Sequence, residues 1–224
     1  ASSARSLNKR LRFPADVITD IIANHYGSVW LVADSRILQV ISTDQEPIVY
    51  EQEIGIKNNK ILSFLIDRED NLWIGFSGGL QRLTNRRGLR NFYPGMINSY
   101  IYSIFQDPRG RIWITSDNGI YYFLDDQISS FPPPGGTGDK KYTGTLLSDG
   151  NILFANNQGL YEINSRTLGV VKKHEFSQIA HSPENLFVSS RGEIFLLTGI
   201  NGIIYYFPDF QKEPLQLKNR CTSN

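Results

Sequence analysis

Residues 107–123 read DPRGRIWITSDNGIYYF. The segment opens on a turn signal, Asp-Pro-Arg-Gly, and passes through an apolar run centred on Trp113. It then crosses a polar turn ending in Gly119 and returns in a second apolar run. Whether Trp113, Asp107 and the Ser-Asp-Asn-Gly turn are a site or a piece of scaffold depends on whether the pattern recurs, because self-similarity at a fixed period overrides a local reading. It does recur. DREDNLWIGFSGGLQRL occupies 67–83 and SDGNILFANNQGLYEI occupies 148–163, with weaker copies at 24–40 (NHYGSVWLVADSRILQV) and 189–207 (SSRGEIFLLTGINGIIYYF). The residues in the tryptophan slot, Trp30, Trp73, Trp113, Leu153 and Phe195, are spaced by 43, 40, 40 and 42 residues.

Around each slot stand further apolar runs. VITDII (17–22), ILSFLI (61–66) and IYSIF (101–105) come before it, and PIVYEQ, LRNFYP, ISSFPP, LGVVKK and PLQLK close the five units. Four short β-rich runs per unit, with turn residues between them and no 3.6-residue period, predict antiparallel four-stranded sheets. Sheets of that size at that period are the blades of an all-β propeller, here five blades over about 17–52, 61–94, 100–132, 141–174 and 184–218. In a blade the second strand is packed between neighbouring sheets, so a large flat side chain in the slot fills the gap between blades; a tryptophan buries roughly 150–250 Å². Asp67 and Asp107 are placed to accept turn amide protons, and Gly79, Gly119, Gly159 and Gly202 end the second turns, where a positive φ is often needed.

The chain of 224 residues is 40% hydrophobic, enough for a buried core, and its net charge of +1 gives no basis for nucleic-acid binding. It has no run of 18 apolar residues to span a membrane, and its first residues lack the hydrophobic stretch of a signal peptide. A single cysteine, Cys221, makes no internal disulfide. His25, His174 and His181 lack metal-ligand spacing, and Ser77 in GFSGGL lies on a hairpin rather than on a strand-to-helix elbow. DREDN lacks the glycine and distal glutamate of a calcium loop. The reading is therefore of a non-enzymatic chain with no metal and no cofactor.

The repeat resembles the two-component regulator propeller family, whose pattern runs roughly Ile-x-x-Ile-x-x-Asp-x-x-Gly-x-Leu-Trp-Ile-Gly-Thr-x-x-Gly-Leu. Ile101, Ile104, Asp107, Gly110, Ile112, Trp113, Ile114, Gly119 and Ile120 match it in place, as do Ile61, Asp67, Leu72, Trp73, Ile74, Gly75, Gly79 and Leu80. Units four and five lack the tryptophan. The resemblance implies the periplasmic, extracytoplasmic sensor of a hybrid two-component regulator, with an oligosaccharide ligand, a receptor homodimer, and further blades or a second propeller of the same receptor as partners. It also implies rings of seven blades, which favours five blades of a larger ring over a closed five-blade ring. A stretch at 5–13 with Leu11 and Phe13 on one side and Arg10 and Arg12 on the other reads as a spare outer strand. Pro132 to Lys141 reads as a long loop between blades three and four. A protein-interaction scaffold and a propeller enzyme of lyase or glycosidase type remain alternatives.

If the innermost strand comes first in each blade, the turns between second and third strands share a face with the loops between blades. Those turns are rich in amides, and the loops add Asn59, Lys60, Asn98, Tyr100, Lys141 and Tyr142. Carbohydrate recognition needs planar hydrogen-bonding groups for hydroxyls and an aromatic face for C–H surface. The candidate ligand-binding residues are Arg36, Lys60, Tyr100, Asn118, Asn157 and Tyr142.

Overall fold

The structure is a computed structural model. It describes residues 18–24, 27–33, 36–42, 45–50, 60–84, 88–92, 100–132, 141–176, 179, 182–199 and 202–217. Among these there is no helix, and twenty strands make five separate four-stranded sheets. Blade one is β1 (Ile18–Ala23), β2 (Val29–Ala33), β3 (Arg36–Val40) and β4 (Ile48–Tyr50), and blade two is β5 (Ile61–Ile66), β6 (Leu72–Phe76), β7 (Gly79–Thr84) and β8 (Gly88–Phe92). Blade three is β9 (Ile101–Gln106), β10 (Ile112–Ser116), β11 (Gly119–Leu124) and β12 (Gln127–Phe131), and blade four is β13 (Thr143–Leu146), β14 (Ile152–Ala155), β15 (Gly159–Ile163) and β16 (Val170–Glu175). Blade five is β17 (Pro183–Val188), β18 (Ile194–Thr198), β19 (Ile204–Phe207) and β20 (Leu215–Leu217).

Each sheet is an antiparallel meander in sequence order. The first strands of successive blades adjoin, β5 against β9, β9 against β13 and β13 against β17, which puts them innermost. Alternating strand direction then sends the first and third turns of every blade to one face. The second turns and the connections between blades go to the other.

Apolar side chains on the two sides of each sheet build four inter-blade cores. Trp30 and Val32 of blade one meet Phe64, Leu72 and Ile74 of blade two, and Trp73 and Leu80 meet Ile101, Ile112 and Ile114. Trp113 and Ile120 meet Tyr142, Ile152 and Phe154, and Leu153 and Leu160 meet Leu186, Ile194 and Leu196. In blades one to four the slot residue faces the following blade, and in blades two to five the residue after it faces the preceding one. Trp113 has no exposed surface and is ringed by Phe105, Tyr122, Phe131 and Phe154, with centroids 5.0–6.5 Å away. Close approach is also written into Gly75. A Cβ there would stand 2.5 Å from Ser63 Oγ and 2.6 Å from Ile101 Cγ2, so only glycine lets β6 lie this near β9.

The first turns carry a repeated device. Asp107, fully buried, accepts the amide protons of Arg109 and Arg111 on Oδ1 and the Trp113 indole proton on Oδ2 at 2.9 Å. Asp67 does the same for Glu69, Asn71 and Trp73, the last at 2.7 Å. The aspartate thus ties its own turn to the slot residue six positions on. Three positions before the slot the backbone is left-handed in every blade, at Gly27, Asp70, Gly110, Gly150 and Gly192. Asp70, with φ of 59°, takes this conformation where the other four blades use glycine.

Two expectations are corrected. Gly159 ends the second turn of blade four without a positive φ; its need for glycine is steric, since a Cβ would fall 2.2 Å from the His174 carbonyl oxygen on β16. Phe195 is only half-buried, unlike the four other slot residues. It faces away from blade four and makes tilted ring contacts with Tyr206 and with Phe187, which is 63% exposed, on a flank that the described residues leave open. The expected strand at 5–13, the loop at 133–140, Asn59, Asn98, His25, His181 and Cys221 lie outside the described residues.

Candidate functional site

The face formed by the second turns is built from Asx and Ser caps. Ser116 Oγ accepts the Asn118 amide proton at 3.1 Å and donates to the Gly119 carbonyl at 3.1 Å. In blade four, Asn156 Oδ1 accepts the Gln158 and Gly159 amide protons at 2.9 and 3.0 Å. These caps fix the turns and leave Asn118 and Gln158 exposed. Among the buried atoms left without a hydrogen-bond partner are Asp117 Oδ1 and Asn157 Oδ1, both on this face. A buried polar atom left unpaired is costly, so such atoms mark places where water or a ligand completes the bonding.

At the inner edge of the same face, three successive first strands bring together groups that the sequence keeps far apart. Tyr100 and Tyr102, at the start of β9, stack with centroids 6.4 Å apart and planes at 13°. Lys141, before β13, places Nζ 4.4 Å from the Tyr102 ring centroid and 3.9 Å from Glu184 Oε1 on β17. Tyr100 is 49% exposed and offers a ring face to solvent. An aromatic pair beside an ammonium and a carboxylate can cover an apolar C–H surface while donating to and accepting from hydroxyl groups.

Of the sequence candidates, Lys60, Tyr100 and Asn118 are exposed, and Arg36 and Asn157 are half-buried. Arg36 opens β3, Lys60 precedes β5 and Tyr100 precedes β9, so all five belong to the second-turn face. Tyr142 does not present itself there. It is fully buried in the core between blades three and four, among Phe105, Trp113 and Phe154, because the inter-blade packing begins before the first residue of β13. Tyr102, Glu184 and Asp117 were not singled out by sequence. Tyr102 and Glu184 each sit next to a buried residue on a first strand, a signal visible only once that strand is known to line the centre.

A charge pair stands elsewhere on the rim. Lys173 and Glu175 on β16 lie 2.6 Å apart, which raises the lysine and lowers the glutamate from their ordinary pKa values. Burial pushes the Tyr161 hydroxyl up. On the opposite face a cleft of about 410 Å³ between blades four and five is lined by Asp149, Arg191 and Asp209, beside Glu162, which holds Lys172 at 2.9 Å and Asn151 at 2.8 Å. Among the described residues, no three His, Cys, Asp or Glu side chains group so as to hold a metal ion.

The architecture is that of known propellers. The chain is similar to virginiamycin B lyase from Staphylococcus aureus, at 19% identity and a TM-score of 0.70, over 90% of this chain and 70% of the lyase. It is similar to the extracellular domain of a hybrid two component system from B. thetaiotaomicron, at 17% identity and 0.68, over 92% of this chain and 29% of that one. The WD40 beta propeller domain of Doa1 aligns at 10% identity and 0.63, over 86% of this chain and 64% of that domain. No curated protein sequence matches the chain. The two component regulator propeller repeat matches twice, at residues 55–78 and 95–118, covering the turn, slot and second turn of blades two and three, so the resemblance carried by those residues is to this repeat family.

Proposed function

We propose that the chain is the sensing propeller of a periplasmic, membrane-anchored two-component receptor, without catalytic activity of its own. The observation that carries this reading is the double match to the regulator propeller repeat, supported by the likeness to a hybrid two component extracellular domain. The ligand is an oligosaccharide, met on the second-turn face by the Tyr100 and Tyr102 pair, Lys141 and Glu184 near the centre and by Asn118 and Asn157 on the turns. The receptor works as a homodimer. The five blades belong to a larger ring, a reading supported by the Phe195 flank of blade five, which the described residues leave uncovered, and by the 70% share of the lyase that the chain spans.

The test is to replace Asn118 and Asn157 together by alanine, and separately Tyr100 by alanine, in the intact receptor. Ligand affinity from an oligosaccharide array and calorimetry, together with reporter signalling, gives the readout. Reduced affinity with an unchanged far-ultraviolet spectrum supports the reading. Unchanged binding moves the ligand off this face. Turnover of a streptogramin by the purified chain would place it instead with the lyases.

A further inference from the structure

Two successive blades repeat a feature on the second-turn face that the fold does not require. Four positions after the slot stand Asp117 in blade three and Asn157 in blade four. The turn amide protons are taken by the residue before each of them, Ser116 in one blade and Asn156 in the other, so the capping does not call on Asp117 or Asn157. Both side chains are half-buried, and Oδ1 of each is buried without a hydrogen-bond partner.

The strand registers place these two acceptors beside the aromatic and charged group near the ring centre. The β9 and β10 ladder ends on the pair Ile101 and Ser116, and the residues just beyond it are Tyr100 and Asp117. The β13 and β14 ladder ends on Thr143 and Ala155, and just beyond it come Lys141 and Tyr142 on one strand and Asn156 and Asn157 on the other. One surface therefore holds the Tyr100 and Tyr102 rings, Lys141 with Glu184, and two unmet acceptors one blade apart.

Resting on the oligosaccharide reading above, we infer that Asp117 and Asn157 set the selectivity of this surface, each taking a hydroxyl proton from the ligand, and that the sugar unit they meet is uncharged. An Oδ1 that bonds nothing in the free protein gives up nothing when its half-exposed side chain turns toward a ligand donor, so the bond gained is not offset by one lost. The Asn157 amide can present either end, and a hydroxyl group, both donor and acceptor, answers either. The Asp117 carboxylate is selective, because it accepts from a hydroxyl group and repels a uronate or a sulfate. Glu184 adds a second negative group to the same surface, and the Lys141 ammonium that would meet an acidic sugar already lies 3.9 Å from Glu184 Oε1.

The experiment sets paired ligands against the full-length protein in calorimetry: neutral gluco-, manno- and galacto-oligosaccharides, and the same oligomers carrying uronic acid or sulfate. The expected result is that neutral members bind and their acidic counterparts bind about tenfold more weakly or worse. Asp117→Ala weakens the neutral member about tenfold or more, and Asn157→Ala weakens it roughly a few-fold. Asp117→Asn removes the charge and keeps an acceptor, so it narrows the gap between neutral and acidic members, a change that a merely structural residue would not make. Because neither Oδ1 is bonded in the free protein, both alanine variants keep the parent's thermal midpoint without ligand. A midpoint that falls shows the acceptors bonded within their turns and overturns the inference. Binding of acidic members alone overturns it and leaves the sensing role standing. Binding of neutral members that neither alanine variant weakens does the same, and leaves both acceptors to water. Failure of every oligosaccharide to bind overturns the sensing role as well.

Discussion

Removing the Asp107 carboxylate should be among the most damaging single changes available in this protein. Both residues of the Asp107–Arg111 pair are buried, with Arg111 Nε 2.6 Å from Asp107 Oδ2. The same carboxylate accepts the Trp113 indole proton and two backbone amide protons, while the guanidinium also donates to the Ser165 carbonyl of blade four. Asp107→Ala therefore leaves a charged group and three neutral donors without their acceptor, and the turn loses the contact that fixes its slot residue. Stranding one partner of a buried ion pair costs about 3–5 kcal/mol. For a chain of this size that corresponds to a fall in midpoint of roughly 6–20 °C. Urea unfolding followed by tryptophan fluorescence gives the free energy, and calorimetry gives the midpoint. Replacing both partners, Asp107→Leu with Arg111→Met, should recover a substantial part of the loss, because the desolvation of both charges disappears with them. A single-variant loss under about 1 kcal/mol, or a double variant worse than the single, would refute this account of the turn.

Four other outcomes follow from the same geometry. Trp113→Ala should cost about 3–5 kcal/mol, the usual effect of emptying a large buried aromatic site, and Phe195→Ala less than half as much because the described residues leave it half-buried; equal losses in urea melts would mean that the fifth slot is core. Gly75→Ala should destabilise by about 1–3 kcal/mol through overpacking against Ser63 and Ile101, and a neutral effect in the same assay would contradict the close approach of β6 to β9. Glu193 is held below its ordinary pKa first by the Ser189 hydroxyl and then by that of Tyr206, so its contribution to stability is present above the ordinary glutamate range and fades as pH falls through the depressed value. Tyr206→Phe should raise the Glu193 titration midpoint part of the way back, read by carboxyl NMR, and no movement would refute the bond. The 224-residue chain alone should self-associate through the apolar flank of blade five, and a strictly monodisperse monomer by light scattering would argue against an unfilled neighbour site there.

The fold was legible because a blade writes its turns and its slot in the same order each time. The four fourth-strand runs from blades one to four, and the short Leu215–Leu217 run of blade five, all form strands where composition placed them. The hydrogen bond from the slot indole to the turn aspartate was also legible in principle, as a six-residue spacing present at 67 and 73 and at 107 and 113. What the sequence could not supply was the direction of side chains next to the ring centre. Tyr142 read as a rim residue because it follows a long loop, yet the inter-blade contact starts at once and closes over it. Tyr102 and Glu184 were missed for the converse reason: they meet Lys141 only because three first strands converge, and no spacing along the chain records that convergence.

In a repeat protein each blade serves as a control for the others, and departures from the repeat become informative. Packing demands the same solution in every unit, so a position that breaks the pattern without being repaired by a neighbour is released from that demand. Leu153 and Phe195 break the tryptophan pattern, but the surroundings compensate: Leu153 is buried against blade five, and Phe195 makes tilted ring contacts with its own strand neighbours. Asn24 and Gln39 are different. They remove the carboxylate acceptor of an indole that is nevertheless kept buried, with Tyr50 stacked on it in place of a guanidinium, and Asp70 stands where the other blades have glycine. The Asp70 carboxylate is itself engaged, accepting from the Asn24 side-chain amide at 3.5 Å, so the departure in one blade is met by the departure in the next. Stability selects the repeat, and where blade one departs from it the neighbouring turn of blade two departs with it.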